Sequence, residues 1–450
     1  MAGLPFIAAA HLQADIAGLF AERARAVVVV EYFIERETDR QPGEAAGIVI
    51  GDAGEILLLA DAIPAWEPPN RLRDLRVFPS YHVGDGFEAT YLGPDSLNGW
   101  HHVRVVDAAW PHLQSLLHFP TAAPTIGEEL WGIGVTDGNL DYLPYFMSAR
   151  LAAIQELPLQ MGFAGDDLAT PGGPVFNFAG AFVGWAGNAV PVERDMWIGN
   201  DYYRVNLRNS DESYAFLLAD EFTAARVPPP GDVLGDPMPW LGLVGIQPVD
   251  DETASFLGLA DQGALVVSEV LAGSPAATAG VEDRDIIVAV DGELLQRHRP
   301  ASVVMRAFER HIRQKQPGDT VTFSLLRGQE EMELSVPLGT APKLVRAAER
   351  RFFEALGLTV RERVLSDALA RREDPDEAQG VVVSFVRPNS PPATSGLQPG
   401  DWIVEIDSVA VPEFAEATAA LEAIEGEEDR EEYLLLIARG SETSVLRVRR

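Results

Sequence analysis

Between residues 26 and 225 apolar residues come in short runs separated by glycine, proline and polar residues, with little sustained helical spacing. Val27-Val28-Val29-Val30, Gly47-Ile48-Val49-Ile50, Ile56-Leu57-Leu58-Leu59, His102-Val103-Arg104-Val105-Val106 and Phe182-Val183-Gly184-Trp185 read as strands. Strands this short, at this spacing, predict an all-β sandwich or a pair of barrels. Ahead of them Leu12, Ile16, Leu19 and Phe20 recur at helical spacing, which predicts a packing helix feeding the first strand.

Residues 226–239 contain Pro228, Pro229, Pro230, Pro237 and Pro239. A stretch so rich in proline is stiff and extended, and it marks a domain boundary. Beyond it one unit is written twice. Ser274-Pro275-Ala276-Ala277-Thr278-Ala279-Gly280-Val281 and Asp285-Ile286-Ile287-Val288 return as Ser390-Pro391-Pro392-Ala393-Thr394-Ser395-Gly396-Leu397 and Asp401-Trp402-Ile403-Val404. The offset is 116 residues at both anchors, Gly280 to Gly396 and Asp285 to Asp401. A fixed offset over several anchors is an internal duplication. In each copy Ser-Pro starts a short helix, glycine ends it, aspartate turns the chain and a strand follows. The first copy has Arg284 where the second has Gly400, which predicts a tightened or shifted turn. Each copy also predicts a later helix with one apolar face: Val304, Phe308 and Ile312 in residues 302–313, and Phe414, Ala417, Leu421 and Ile424 in the second.

At 450 residues the chain has room for about three domains. The formal net charge is −33, and no cluster of Lys or Arg stands against that field, which argues against nucleic acid and anionic membranes as partners. With no cysteine there are no disulfides, thiolate metal sites or cysteine nucleophiles. No basic residue precedes Arg23, so residues 1–11 make a poor export signal. No apolar run approaches the roughly 20 residues that span a bilayer. The expected location is therefore cytoplasmic for the sequence as it stands, and the cell envelope if translation begins further upstream.

The stretch Asp167-Leu168-Ala169-Thr170-Pro171-Gly172-Gly173-Pro174-Val175-Phe176-Asn177 resembles the nucleophile loop of trypsin-like proteases of the HtrA/Deg family, in which Gly-Asn-Ser-Gly-Gly-Pro precedes two apolar residues and Asn. The resemblance implies two six-stranded barrels of the chymotrypsin type, and an N-terminal segment that supports trimer contacts. It also places the nucleophile at Pro171, which has neither a hydroxyl to attack a carbonyl nor a backbone N–H for an oxyanion hole. The loop's leading glycine is Ala169. Residues 56–63 match the family's histidine segment and put that histidine at Asp61. The family's aspartate falls at or beside Gly99, with Asp95 just before. All three catalytic positions are therefore replaced.

No other constellation stands in. His101, His102, His112 and His118, with Asp107 among them, have spacings that match no metal pattern. They read as surface or hydrogen-bonded histidines. Ser80, Ser96, Ser115 and Ser148 lack a nucleophile-elbow setting, and no cofactor is called for.

Both copies of the repeat resemble PDZ domains of the same family, at residues 240–340 and 347–450, after an N-terminal segment (1–25), a degenerate protease domain (26–225) and the linker (226–239). The resemblance implies β-augmentation, in which a partner's C-terminus adds a strand beside a groove and backbone amides hold its carboxylate. Trp240, Leu241, Gly242 and Leu243 match the carboxylate loop of the first domain, and Leu356, Gly357 and Leu358 that of the second. Val304 and Phe308, and Phe414 and Leu421, would belong to the opposite walls, although most of each apolar stripe reads as core. Six acidic residues lie in residues 425–432, a solvated turn. The implied function is a protease-like adaptor or chaperone that captures C-terminal or unfolded segments; scaffolding or regulating an active HtrA relative and holding clients are alternatives left open. An endopeptidase with its serine elsewhere, and a structural protein with silent grooves, are the competing classes.

Overall fold

The computed structural model describes every residue except 1–15, 81–83, 107–112, 157–158, 188–191, 199–200, 208–213, 299–300 and 428. Leu12, Asp107, His112 and the apolar start of the chain therefore lie outside the described residues. Strands β1 (Val27–Glu35), β2 (Arg40–Val49), β3 (Glu55–Leu58), β4 (Leu72–Pro79), β5 (Phe87–Pro94) and β6 (His101–Val105) close into a barrel in the order β1-β2-β3-β6-β5-β4. A second barrel follows from β7 (Glu129–Val135), β8 (Pro144–Gln155), β9 (Met161–Ala164), β10 (Pro174–Asn177) and β11 (Phe182–Ala186). A hairpin of β12 (Val192–Ile198) and β13 (Asp201–Leu207) then leads to β14 (Ala215–Leu218), and the order is β10-β11-β14-β9-β8-β7. Of the two architectures open to short strands, the chain takes the barrel pair.

The run Val27–Val30 is buried on both faces because two cores share it. Val28 and Val30 enter the first barrel with Val49, Ile56, Leu58, Val77 and Val103. Val27, Ile48 and Leu57 face outward into a seam completed by Trp131, Phe176 and Trp185 of the second barrel and Phe222 of the helix Ala219–Ala225 that follows it. Edge-on packing of Trp100 against Trp185, at 5.1 Å between centroids, ties the two barrels together there. A helix over residues 16–23 lays Leu19 and Phe20 on the same seam. Its Arg23 donates through Nε and Nη2 to the Gly180 carbonyl at 3.0 and 2.9 Å and stacks over Phe119.

In the first repeat Leu265–Val266, Ile286–Val290, Thr320–Arg327 and Glu330–Pro337 form the main sheet, and Ser302–Arg313 is the later helix. In the second, Arg350–Phe353, Leu358–Arg361, Val381–Val386, Trp402–Ile406, Glu432–Arg439 and Glu442–Arg449 pair in that order beside the helix Phe414–Gly426. The duplicated aspartates explain themselves once folded. Arg327 grips the buried Asp285 through Nε and Nη2 at 2.8 and 2.7 Å, and Arg439 grips Asp401 the same way at 2.6 Å. Such two-pronged pairs fix both distance and orientation.

The turn carrying Arg284 is not shifted. Arg284 takes φ +69° where Gly400 takes +94°, and its amide donates to Val267 as Gly400 donates to Val383, both at 2.8 Å. An exposed arginine is therefore held in the left-handed region that favours glycine. The substitution Arg284→Gly is expected to raise folding stability by about 0.5–1 kcal/mol, measured by urea denaturation.

His101 and His102, adjacent on β6, are both buried, and burial lowers the pKa of each to about 4. Unfolded, each binds its proton near the ordinary value of about 6.5, so the unfolded state takes up more protons between those limits. Stability is therefore complete above pH 6.5 and falls as the pH drops towards 4, by about 2 kcal/mol per histidine at pH 5. Denaturation at pH 7.5 and 5.0 should show this loss. His102→Leu should remove its share, and an unchanged pH dependence in that variant would refute the assignment.

Candidate functional site

The seam between the barrels opens into a cavity of about 410 Å³ lined by Asp61 and Ala62 from the first barrel and Thr170 and Pro171 from the second. Glu44, Asp137 and Tyr142 complete its acidic wall. Gly99, at φ +73°, lies against the neighbouring residue: a Cβ there would sit 3.6 Å from that of Ala60. Asp61 and Pro171, expected at two of the catalytic positions, thus line one cavity, while Gly99 packs beside Ala60 and is not among its lining residues.

The loop keeps its shape through backbone bonds rather than through a nucleophile. Gly172, at φ +92°, donates to the Ala186 carbonyl at 2.8 Å, and its own carbonyl accepts from the Trp185 indole at 2.7 Å. A side chain there would strike the Ala46 carbonyl oxygen at 2.4 Å, so glycine is required. Gly173 donates to Thr170 at 2.7 Å, and the Thr170 hydroxyl accepts from the Val135 amide at 2.9 Å. Ala169 is buried and is absent from the described residues of positive φ. The amides after Pro171 therefore point at the protein's own carbonyls.

Asp95, the carboxylate nearest the aspartate position, is a loop cap. Its Oδ1 accepts from the amides of Leu97, Asn98 and Gly99 at 2.9, 2.5 and 3.2 Å. Burial nevertheless raises its pKa, against the lowering effect of those amides. His101, expected as a surface or hydrogen-bonded histidine, is hydrogen-bonded and buried, with Nε2 3.1 Å from the Ala60 carbonyl and Nδ1 2.7 Å from the Tyr91 hydroxyl. A carbonyl only accepts, so Nε2 carries the proton and Nδ1 accepts from tyrosine. Among the described residues no serine is hydrogen-bonded to a histidine. Ser80 donates to Val27, Ser115 caps a turn at Leu117, and Ser148 is exposed.

Sequence reasoning missed two features of this cleft. Tyr142 bridges Glu31 and Glu44, with its hydroxyl against both carboxylates, and burial followed by Glu31 raises its pKa. Glu31 and Glu44 do face each other across β1 and β2, but nothing in their spacing points to a tyrosine 98 residues beyond Glu44. The second feature is a neighbouring cavity of about 330 Å³, where Asp61, Trp100, Trp185 and Leu217 meet Arg306, Arg310 and Arg313 of the helix Ser302–Arg313. Arg310 pairs with Glu221 and with the Asn98 amide oxygen, both at 3.3 Å, and burial lowers its pKa. The polar face of that helix is thus docked on the barrels.

The two repeats treat their grooves differently. In the first, Gly242 takes φ +81° with Ser274 against it, and the carbonyls of Leu241 and Gly242 accept from Ala276 and Leu271, both at 2.9 Å. Leu241, Val304 and Phe308 are buried in the domain core, while Trp240 and Leu243 are half-buried. Pro239–Trp240 pairs with Gly339–Thr340. Leu243–Val244 and Gln247–Pro248 each pair on one side only, with Glu269–Val270 and Leu265–Val266. Among the described residues no strand lies on the other edge.

In the second repeat that edge is taken. Arg350–Phe353 pairs antiparallel with Leu358–Arg361, from Arg350 opposite Arg361 to Phe353 opposite Leu358. Gly357, at φ +73°, donates to the Phe353 carbonyl at 2.8 Å. Leu356, Leu358 and Leu421 are buried in one core with Phe353, and Phe414 is half-buried at the rim. The residues expected to bind a visiting peptide therefore surround a segment of their own chain.

Comparison with known proteins adds three findings. Family models described as PDZ domain match residues 242–338 and 354–429. Proteins named probable periplasmic serine endoprotease DegP-like are similar: that of Bartonella henselae is 29% identical over 180 residues, 40% of this chain and 34% of the relative, and that of Rhizobium meliloti is 29% identical over 174 residues, 38% and 33%. The chain thus spans about a third of the length of the curated relatives it matches. Among solved structures, the HtrA-type protease AlgW with decapeptide aligns with a TM-score of 0.48 at 15% identity, over 73% of this chain and 99% of that one. The serine endoprotease from Yersinia pestis aligns at 0.46 and 18%, over 72% and 97%. Two PDZ domains thus lie behind a pair of closed barrels, and the chain is similar to DegP-like serine endoproteases.

Proposed function

We propose that this protein is a member of the HtrA/Deg family that binds polypeptides without cleaving them. One observation carries the proposal: Pro171, which the loop's resemblance sets at the family's nucleophile position, lines the same cleft as Asp61. Acyl transfer needs a hydroxyl activated by a base within hydrogen-bond reach and donors aimed at the developing oxyanion. Proline supplies neither a hydroxyl nor an amide. An aspartate facing it has no proton to take. The scaffold then serves as a platform for the PDZ domains, which capture C-terminal or unfolded segments by strand addition. Holding such clients, or presenting them to an active relative, follows from that chemistry. The relatives are named as periplasmic, which supports a place in the periplasm.

The purified chain is expected to leave unfolded casein intact and to show no labelling by a fluorophosphonate probe. Labelling of any serine would overturn the proposal and would name the nucleophile. Pro171→Ser alone should not restore labelling, because Asp61 is no substitute for histidine; labelling of that variant would show that a base remains.

Peptides with a free C-terminal carboxylate and an apolar last residue are expected to bind with a dissociation constant on the order of micromolar. Amidation of that carboxylate should weaken binding at least about tenfold, since the loop amides lose their charged acceptor. Isothermal titration of matched acid and amide peptides measures this. Equal affinity for the two forms would exclude carboxylate capture.

A further inference from the structure

The segment Arg350–Phe353 occupies the second PDZ domain as a ligand would. A PDZ ligand runs antiparallel to the strand after the carboxylate loop, between that strand and the helix, and ends at the loop's amides. Arg350–Phe353 runs antiparallel to Leu358–Arg361, the strand after Leu356-Gly357-Leu358. The helix Phe414–Gly426 packs against it from the other side. Its last carbonyl, that of Phe353, receives the Gly357 amide at 2.8 Å, the bond a terminal carboxylate would accept. The side chains fit the same register. Phe353 is fully buried in the core that includes Leu356, Leu358, Ala417 and Leu421. Two residues earlier, Arg351 forms an ion pair with Glu422 on the helix.

We infer that the groove of the second PDZ domain is a site for peptides ending in an aromatic residue with arginine two positions before it, and that residues 350–353 fill this site in cis. Visiting peptides then bind only the first domain until that segment leaves. The difference between the domains has a cause in sequence. The residues aligned with Arg351 and Phe353, counted back from the two loops, are Asp236 and Met238, and Met238 is flanked by Pro237 and Pro239. Prolines have no N–H for a ladder. The first domain's leading segment pairs instead with Gly339–Thr340, and no strand among the described residues lies on the groove edge.

The inference rests on the peptide-binding reading above, and the two can fail separately. Hydrogen exchange on the full-length free protein tests the segment without any peptide. Fragments spanning residues 350–361 should exchange as slowly as Val381–Val386; exchange at unstructured-chain rates over 350–353 would overturn the inference.

Titration with the pentapeptide Glu-Arg-Arg-Phe-Phe, bearing a free carboxylate, tests the site. Intact protein should take one equivalent, and Phe353→Ser two. Since removing a buried phenylalanine can unfold the domain, protection of Val381–Val386 is checked in that variant. The gentler Arg351→Glu, which sets like charges against Glu422, should also admit a second equivalent, with affinity reduced at least about tenfold by changing the last Phe of the peptide to Ser. Two equivalents on intact protein, or no gain in either variant, would overturn the inference. Slow exchange over 350–361 with no peptide bound to any form would instead count against peptide capture, leaving the cis strand in place.

Discussion

A β-strand with an open edge presents a row of unpaired amides and carbonyls, and the organisation of this chain follows from how each edge is closed. The two barrels abolish their edges by wrapping round. The PDZ units cannot, because each must feed a helix past one side of its sheet. That leaves an open edge beside the helix. In the first unit no strand among the described residues lies on it; in the second the preceding four residues do.

Barrel closure also accounts for the cleft between the two barrels. What holds the cleft is the shared seam of Trp100, Trp131, Phe176, Trp185 and Phe222, together with backbone bonds at Gly172 and Gly173. None of these depends on a serine, a histidine or an aspartate. The loop can therefore carry Pro171 and keep its path. His101, locked between Tyr91 and the Ala60 carbonyl, belongs to the packing of the wall.

The duplicated units show how closely equal frameworks can differ in use. The buried Asp285–Arg327 and Asp401–Arg439 pairs, and the serine caps at Ser274 and Ser390, are the same in both. The difference lies in the segment ahead of each loop. The helix Ser302–Arg313 further docks its arginines on the barrels, so the first unit and the barrels share a boundary at Arg310, Asn98 and Glu221.

Sequence by itself determined a good deal here. Local chemistry wrote the strand runs, the proline break, the 116-residue repeat, and the two helices with Val304, Phe308, Ala417 and Leu421 on their buried faces. The chemistry open to Pro171 was legible because it belongs to the residue: proline has no hydroxyl in any fold. The Arg284 turn was misread because a backbone held by hydrogen bonds on both sides can keep a left-handed residue without glycine. His101 and His102 could not be told from surface histidines, since burial depends on what packs across the strand. The Tyr142 bridge, the arginines beside Asp61 and the strand in the second groove were decided by tertiary structure alone. Each brings together groups whose separation along the chain carries no periodic signal, and pairing between distant segments is settled only when their edges and faces meet.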